Sequence, residues 1–304
     1  MLRFLERHTF LSIIILLVAV ILLWMIFAVW PEWLISAIGR KKTFVITLLN
    51  GVTIAGLYFL VASGFTLVFG LMRNVNLAHG SMYLLGGYIG YEVSENSGSW
   101  FLGLLVAFLV IALSGVLLQT LVFRRMEKEE LRQTLVTIGI SIIAADLMLA
   151  IWTGTTYQFS PPDWLFGSSV LPIISVIKSS GKVIFIKYPV FRIAVLIVAV
   201  FVGIILWLFL NKTKIGMMIR AGVNDREMLS ASGVNVQLIF AIVFAIGAGL
   251  AGFAGVVGGT ALSIAPGEDI RYLLASLIVV IVGGLGSVTG VAIGVLIIGL
   301  AEQF

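Results

Sequence analysis

The sequence predicts an all-α membrane protein, a polytopic bundle of about eight or nine transmembrane segments. Two observations carry this prediction. Hydrophobic residues make up 61% of the 304-residue chain and charged residues only 11%, whereas a soluble domain carries about 25% charged residues. The apolar runs are long and unbroken, which excludes both a disordered chain and an alternating outer-membrane barrel.

The individual segments follow from the length that a spanning helix needs, about 20 apolar residues. Runs of this kind occupy residues 10–30, 44–72, 100–123, 134–152, 190–210, 236–262 and 272–304. Residues 77–91 are shorter and glycine-rich, which is typical of a span or half-span. The last run is long enough for two passes, with a break expected at residues 283–287. The first run follows Arg3 and Arg7 and has no small-residue cleavage site, so we interpret it as an uncleaved span.

The basic residues favour a cytoplasmic N-terminus. The net charge is +5, and basic residues in a membrane protein collect on the cytoplasmic side. This orientation puts eleven of the 19 Lys and Arg residues inside and eight outside. Residues 40–42, Arg-Lys-Lys, fall on the outer side and oppose it. Residues 153–189 then form an external loop, and residues 211–235 form an internal loop whose mixed apolar and charged composition suits short helices at the membrane surface.

Several kinds of chemistry are excluded by the sequence. There is no cysteine, and the only histidines, His8 and His79, do not form a pair with metal-ligand spacing. The one Gly-Lys pair is followed by Val183, so the chain lacks a phosphate-binding loop. Residues 247–252 match a dinucleotide-binding pattern, but no strand precedes them. We expect neither an enzyme nor a nucleic-acid or metal-binding protein, and any ATP-driven work must come from a partner.

The glycines indicate close helix packing. Gly86 and Gly90, and likewise Ala248 and Gly252, are small residues four apart on one helix face, where two backbones can approach closely.

Polar residues inside apolar surroundings are the sharpest local features. Residues 73–81 place two amides, an imidazole and a hydroxyl between two apolar stretches. They indicate either a pathway-lining or gating element or a short cytoplasmic turn capped by Asn side chains. Asp146 lies inside a predicted span, where a carboxylate either serves transport or pairs with a neighbouring helix.

Four ordered motifs make the chain similar to a known family. Residues 49–70 run directly into Asn-Leu-Ala-His-Gly at 76–80, and further matches occur at 215–235, 244–255 and 282–290. Together they resemble the LivH-like permease subunits of ABC importers for branched-chain amino acids, with urea and amide importer permeases as near relatives.

The resemblance implies a multi-pass protein of the inner (plasma) membrane that works in an assembly. The implied partners are a second, related permease subunit, two cytoplasmic ABC ATPases that bind ATP and Mg, an external solute-binding protein, the solute and the lipid bilayer. Residues 1–43 form an N-terminal transmembrane extension and residues 44–304 the permease domain. The internal loop contains the helix that couples to an ATPase, through Gly216, Arg220, Ala221, Asn224, Asp225, Arg226, Glu227 and Gly233. The residues expected to line or gate the substrate pathway are Asn50, Thr53, Tyr58, Asn74, Asn76, His79, Ser81 and Asp146.

Departures from the family pattern leave the identity of the solute unassigned. Ser81 follows His-Gly where an acidic residue is common, and Asp146 replaces a common amide. The family also implies a further helix and a basic tail beyond Phe304, so a truncated sequence is expected. Besides a urea or short-amide importer, the residues allow an ATP-independent secondary transporter or channel, and less readily an intramembrane hydrolase using His79.

Overall fold

The structure, a computed structural model, describes residues 20, 25, 41–72, 75–126, 129–177, 183–284 and 286–304. Apart from Val20 and Met25, the predicted first span therefore lies outside the described residues. The described ranges form ten α-helices and one β-hairpin: α1 Lys41–Met72, α2 His79–Ser97, α3 Trp100–Leu121, α4 Glu130–Trp152, β1 Ser168–Ile177, β2 Val183–Pro189, α5 Val190–Lys212, α6 Lys214–Asn224, α7 Arg226–Ala231, α8 Val236–Ala261, α9 Glu268–Gly283 and α10 Val288–Gln303.

Five of these helices are long and apolar enough to cross a membrane, namely α1, α3, α4, α5 and α8, and α9 with α10 adds a sixth if it counts as one broken span. The polytopic helical bundle is thus confirmed for the described residues. Helix α1 begins at Lys41, so the predicted boundary between residues 43 and 44 falls inside a continuous helix.

The chain divides into two compact units. One contains the residues up to Asn50 together with Ser168–Pro189, and the other contains Gly51–Gly167 with Val190–Phe304. In the smaller unit, β1 and β2 pair antiparallel from Ser168 opposite Pro189 to Ile177 opposite Val183. The external loop was predicted without strands, so the all-α description is incomplete here. Its β-branched residues, which favour extended pairing, account for the hairpin.

The larger unit is organised around α8. In its apolar window 72% of α8 is buried, against 11% for α4. Helix α8 packs against α1, α2 and α3 at points where both backbones carry small residues. A Cβ at Gly64 would collide with the carbonyl oxygen of Gly247, and one at Gly86 would collide with the Cα of Gly252. The predicted role of the small residues in helix packing is confirmed.

Helices α9 and α10 form a broken pair. The chain leaves α9 at Gly283 and enters α10 at Val288, as the glycine run predicted, and the two axes differ by 118°. Gly284 and Gly286 have φ angles of 91° and 78°, which side chains other than glycine rarely adopt. Each helix has 16 residues, about 24 Å, which is shorter than the hydrocarbon core of about 30 Å. Neither helix crosses the bilayer core alone.

The glycine contacts can be tested by comparing Gly86→Ala with Gly139→Ala. A methyl group at residue 86 has no room beside Gly252, whereas nothing lies within 4 Å of a Cβ at Gly139. We expect Gly86→Ala to lower the free energy of unfolding by about 1–3 kcal/mol through overpacking. Gly139→Ala should leave it unchanged or raise it by up to about 1 kcal/mol. Thermal unfolding in detergent measures both, and equal melting temperatures would contradict the close contact.

Candidate functional site

The junction between α1 and α2 is a tight turn that holds its own polar groups. The Oδ1 of Asn76 accepts a hydrogen bond from the backbone N–H of Ala78 at 3.1 Å, and its carbonyl accepts from the N–H of His79 at 3.3 Å. The N–H of Leu77 donates to the Oγ1 of Thr137 on α4 at 3.1 Å. Asn76 therefore holds a side-chain turn directly before α2, whose cap residue Ala78 has no side-chain cap. Asn74 lies outside the described residues.

His79 is buried at the first position of α2, with 1% of its surface exposed. Its Nε2 lies 3.1 Å from the carbonyl oxygen of Val61. Because a carbonyl can only accept, Nε2 carries the proton and donates it. The ring packs edge-on against Phe65, with centroids 5.4 Å apart. His79 thus joins the start of α2 to the middle of α1.

Two further predicted pathway residues are also buried. Thr53 lies inside α1, and the Oγ of Ser81 reaches the carbonyl oxygen of Ser141 on α4 at 3.5 Å. The Ser81 contact joins α2 to α4. Within this chain, the surfaces of both residues are covered by protein.

Tyr58 leads to a charged cluster that the sequence analysis did not identify. Its hydroxyl donates to Oε2 of Glu302 at 2.5 Å, and Oε1 of Glu302 accepts from Arg271 at 2.7 Å. Arg271 also pairs with Glu268 at 3.5 Å. The two contacts of Glu302 join residues 244 and 31 positions apart in the chain. A pattern search along one helix therefore gives no sign of them.

Asp146 and Asn50 are placed separately from this cluster. Asp146 lies on the exposed face of α4, among exposed apolar side chains such as Ile142, Ile143 and Leu149. Asn50 belongs to the smaller unit, where its Oδ1 accepts a hydrogen bond from the hydroxyl of Tyr188 at 3.0 Å.

The internal loop at residues 211–235 folds into two short helices, as its composition predicted. Thr213 caps α6 by accepting from the N–H of Gly216 at 3.0 Å. Asp225 ends α6 with its backbone N–H and begins α7 with its side chain, which accepts from the N–H of Met228 at 2.9 Å. Gly233, with a φ of 79°, follows α7. These side-chain caps fix both helices without a linker between them.

The surface of the two short helices combines charge with apolar anchors. Ile219 and Leu229 are buried, while Met217 and Met228 are exposed. Arg220 donates from Nη1 to Oδ1 of Asn211 at 2.8 Å. Ala221 is exposed beside it. A Cβ at Gly216 would collide with the backbone of α5 at Phe209 and Leu210, so α6 lies directly against the end of α5. Asn224, Arg226 and Glu227 complete the predicted set, at the end of α6 and the start of α7.

No group of three His, Asp or Glu side chains suited to a metal ion occurs among the residues that the structure describes. The polar groups within the apolar helices are amides, hydroxyls, an imidazole and a few charged side chains, which mark functional positions in membrane helices. The fold and these groups together define a polytopic helical membrane protein with the character of a transport permease.

Comparison with known proteins identifies the family. Residues 47–304 match a family described as the permease component of branched-chain amino acid transport systems, and the chain belongs to this family. It is a multi-pass protein of the inner (plasma) membrane and a permease subunit.

Individual relatives agree with this assignment. The chain is 29% identical to the high-affinity branched-chain amino acid transport system permease protein BraD of Pseudomonas aeruginosa, over 84% of each chain. It is 27% identical to LivH of Salmonella typhimurium, over 83% of each. It is also 28% identical to the ribose import permease protein RbsC of Haemophilus influenzae, over 99% of this chain and 85% of that one. No solved structure matches the chain.

The structural role of His79 can be tested with His79→Gln and His79→Ala. Glutamine keeps an N–H donor for the carbonyl of Val61, whereas alanine removes the hydrogen bond and leaves a cavity against Phe65. We expect His79→Ala to lower the free energy of unfolding by about 2–4 kcal/mol and His79→Gln to lose less than half of that. Detergent melting curves measure the difference. Equal losses for both variants would show that the hydrogen bond to Val61 contributes nothing.

Proposed function

We propose that this chain is the transmembrane subunit of an ATP-driven importer and forms part of the pathway for branched-chain amino acids. The family match over residues 47–304 carries the proposal, and the named substrates of the BraD and LivH relatives give the solute. The assembly would contain a second, related permease subunit, two ABC ATPases that bind ATP and Mg, and an external solute-binding protein.

The proposed orientation places the N-terminus and the loop with α6 and α7 in the cytoplasm, and the β-hairpin outside. The complete bundle then has eight segments, the lower of the two predicted counts. It comprises a first span in residues 10–30, the five long helices, α2 and the broken pair α9–α10. Helix α2 has 19 residues, which falls within the range of about 17–25 residues for a spanning helix.

Helices α6 and α7 are the proposed coupling element. They are short, capped at both starts, and fixed to α5 by the close contact at Gly216. The exposed Met217 and Met228 offer apolar contacts to a groove in the ATPase, because methionine adapts its shape to a partner. The charges of Arg220, Asp225, Arg226 and Glu227 would then orient the contact. Closure of the ATPases would move α6 and, through it, the end of α5.

The exposed face of α4 is the proposed contact with the second permease subunit. Asp146 lies 16 residues after Glu130 and six before Trp152, so its carboxylate is about 9 Å along the helix from the outer end. A short carboxylate at that depth is costly in lipid and needs water or a polar partner. A second permease with a solvated pathway between the subunits supplies both.

The buried residues at the α1–α2 junction take a different part in this proposal. Asn76 and His79 are held by backbone hydrogen bonds, and Thr53 and Ser81 are covered by protein. We place them as the support that sets the positions of α1 and α2 beside the pathway. Asn50, Asn74 and Asp146 stay as proposed lining or gating residues. Tyr58, which is also buried, joins the supporting residues through its bond to Glu302.

A second candidate solute is a sugar, because the likeness to the ribose import permease extends over nearly the whole chain. The two candidates differ in their ionised groups, since an amino acid carries an ammonium and a carboxylate group and ribose carries neither.

The experiment that tests the function is reconstitution. Affinity-tagged chain from its native membrane should bring along a second permease, P-loop ATPases and a binding protein, as identified by mass spectrometry. Proteoliposomes made from this complex should accumulate leucine, isoleucine or valine only when ATP is present on the side of the membrane that carries the ATPases. Accumulation of ribose instead would favour the second candidate. Uptake by the chain alone without ATP would overturn the importer.

The coupling element can be tested with Arg220→Gln and Asp225→Asn. Asparagine caps a helix as well as aspartate does, so Asp225→Asn removes the charge while keeping α7. We expect each variant to reduce ATP-dependent uptake about fivefold or more, because it loses a charged contact of about 1–3 kcal/mol with the ATPase.

Lys212→Ala, an exposed charge at the end of α5, is the matched control and should keep wild-type uptake. Wild-type uptake in Arg220→Gln and Asp225→Asn at equal expression would show that these charges do not couple to the ATPase.

A further inference from the structure

The cluster of Tyr58, Arg271, Glu302 and Glu268 joins three helices around one guanidinium. Arg271 and Glu268 lie in the first turn of α9, Glu302 lies at the end of α10, and Tyr58 lies in α1. Arg271 is 2.7 Å from Glu302 and 3.5 Å from Glu268. With one positive and two negative groups, the cluster has a formal charge of −1. Asp269, which follows Glu268 in the chain, is buried and forms no ion pair among the described residues.

This cluster lies deep in the bundle. Tyr58 is 17 residues after the first residue of α1 and 14 before its last, so it is about 25 Å and 21 Å along the helix from the two ends. Helix α10 runs antiparallel to α1, because Gly286 contacts Gly70 and Gly299 contacts Gly51. The end of α10 therefore lies beside Gly51 and Ala55 of α1, and the side chain of Glu302 extends back along α1 to the hydroxyl of Tyr58.

The charged side chains of the cluster are nevertheless partly exposed in this chain. The side chains of Arg271 and Glu302 are 45% and 32% exposed. Around them lie exposed apolar side chains of α9, Ile270 and Leu274. Three charges at this depth cannot face lipid without a large cost. Their exposed side must face water or another protein, and the proposed pathway between the two permease subunits would supply both.

We infer that Arg271, Glu268 and Glu302 form a transient site for the zwitterionic head group of an α-amino acid as it crosses the membrane. This inference rests on the proposed function and names the residues that read the solute. The α-carboxylate would bind the guanidinium of Arg271, and the α-ammonium would bind the carboxylates of Glu268 and Glu302. The excess negative charge attracts the ammonium group, and the fixed guanidinium selects solutes that also carry a carboxylate.

The donor inventory of the cluster fits this role. A guanidinium has five N–H donors, and one hydrogen bond, to Glu302, is formed here. A planar fork of donors suits bidentate binding of a carboxylate. The hydroxyl of Tyr58 holds Glu302 from the buried side, so Tyr58 is a positioning residue. In the absence of solute, Arg271 and Glu302 neutralise each other, which keeps solute binding weak enough for release.

A binding experiment tests the recognition of both charges. The purified complex without its binding protein is titrated with leucine, with 4-methylpentanoate, which lacks the ammonium, and with isoamylamine, which lacks the carboxylate. Saturation-transfer NMR reports the weak binding. We expect leucine to bind at least about tenfold more tightly than either analogue, because each lost charge-assisted contact accounts for about a factor of ten.

The variants then assign each charge to its residue. Arg271→Gln should remove the preference for leucine over isoamylamine, and Glu302→Gln should reduce the preference for leucine over 4-methylpentanoate. Arg271→Lys keeps the charge without the planar fork, and should retain part of the preference. Arg132→Gln with Glu129→Gln is the matched control, since these residues form an exposed ion pair at 3.0 Å at the start of α4.

Transport measurements separate this role from a purely structural one. In proteoliposomes, Arg271→Gln and Glu302→Gln should lower leucine uptake about tenfold or more, while ATP hydrolysis stimulated by the loaded binding protein stays within about twofold of wild type. If hydrolysis falls together with uptake, or if neither changes, the inference is wrong. Restoration of full uptake by the exchanged pair Arg271→Glu with Glu302→Arg would also overturn it, because a structural latch needs only opposite charges. If the wild-type complex imports no branched-chain amino acid at all, the proposed function fails instead.

Discussion

The close approach of helix backbones at glycine is the contact on which the rest of the larger unit depends. Inside a bilayer the hydrophobic effect does not drive one helix against another, so packing and polar contacts must do so. Helix α8 meets α1 at Gly247 and Gly64, and meets α2 at Gly252 and Gly86, with no side chain between the backbones. These contacts fix where α1 and α2 lie, and hence where Tyr58 and His79 lie.

A second constraint follows from the cost of polar groups at membrane depth. The molecule meets it in two ways. At the α1–α2 junction, polar side chains bond to the protein backbone: Asn76 to Ala78, and His79 to Val61. At Asp146 and at the Arg271 cluster, charged side chains stay exposed. The first arrangement is that of a structural support, and the second requires something outside the chain to complete it.

The sequence predicts the local features well because they depend on local rules. Apolar run length gives the long helices, the glycines at 283–287 give the break, and the mixed composition of 211–235 gives α6 and α7. The β-hairpin was missed because its strands lie in a loop bounded by polar and proline residues, where the apolar alternation is short. The Arg271 cluster was missed because its contacts depend on the packing of α1 against α10. Arg271 and Glu302, at opposite ends of two helices, carry no motif. Tyr58 was predicted for the pathway, but its bond to Glu302 becomes visible only in three dimensions.

The single residue between α6 and α7 has a mechanical consequence. Asp225 ends one helix and begins the next with an extended backbone, at φ −151° and ψ 108°, and its side chain is bonded to the second helix. The two helices therefore form a stiff elbow with one pair of torsions at its corner. Since α6 lies against the end of α5 at Gly216, a displacement of α7 that leaves these two torsions unchanged would also displace α6 and press it against the end of α5.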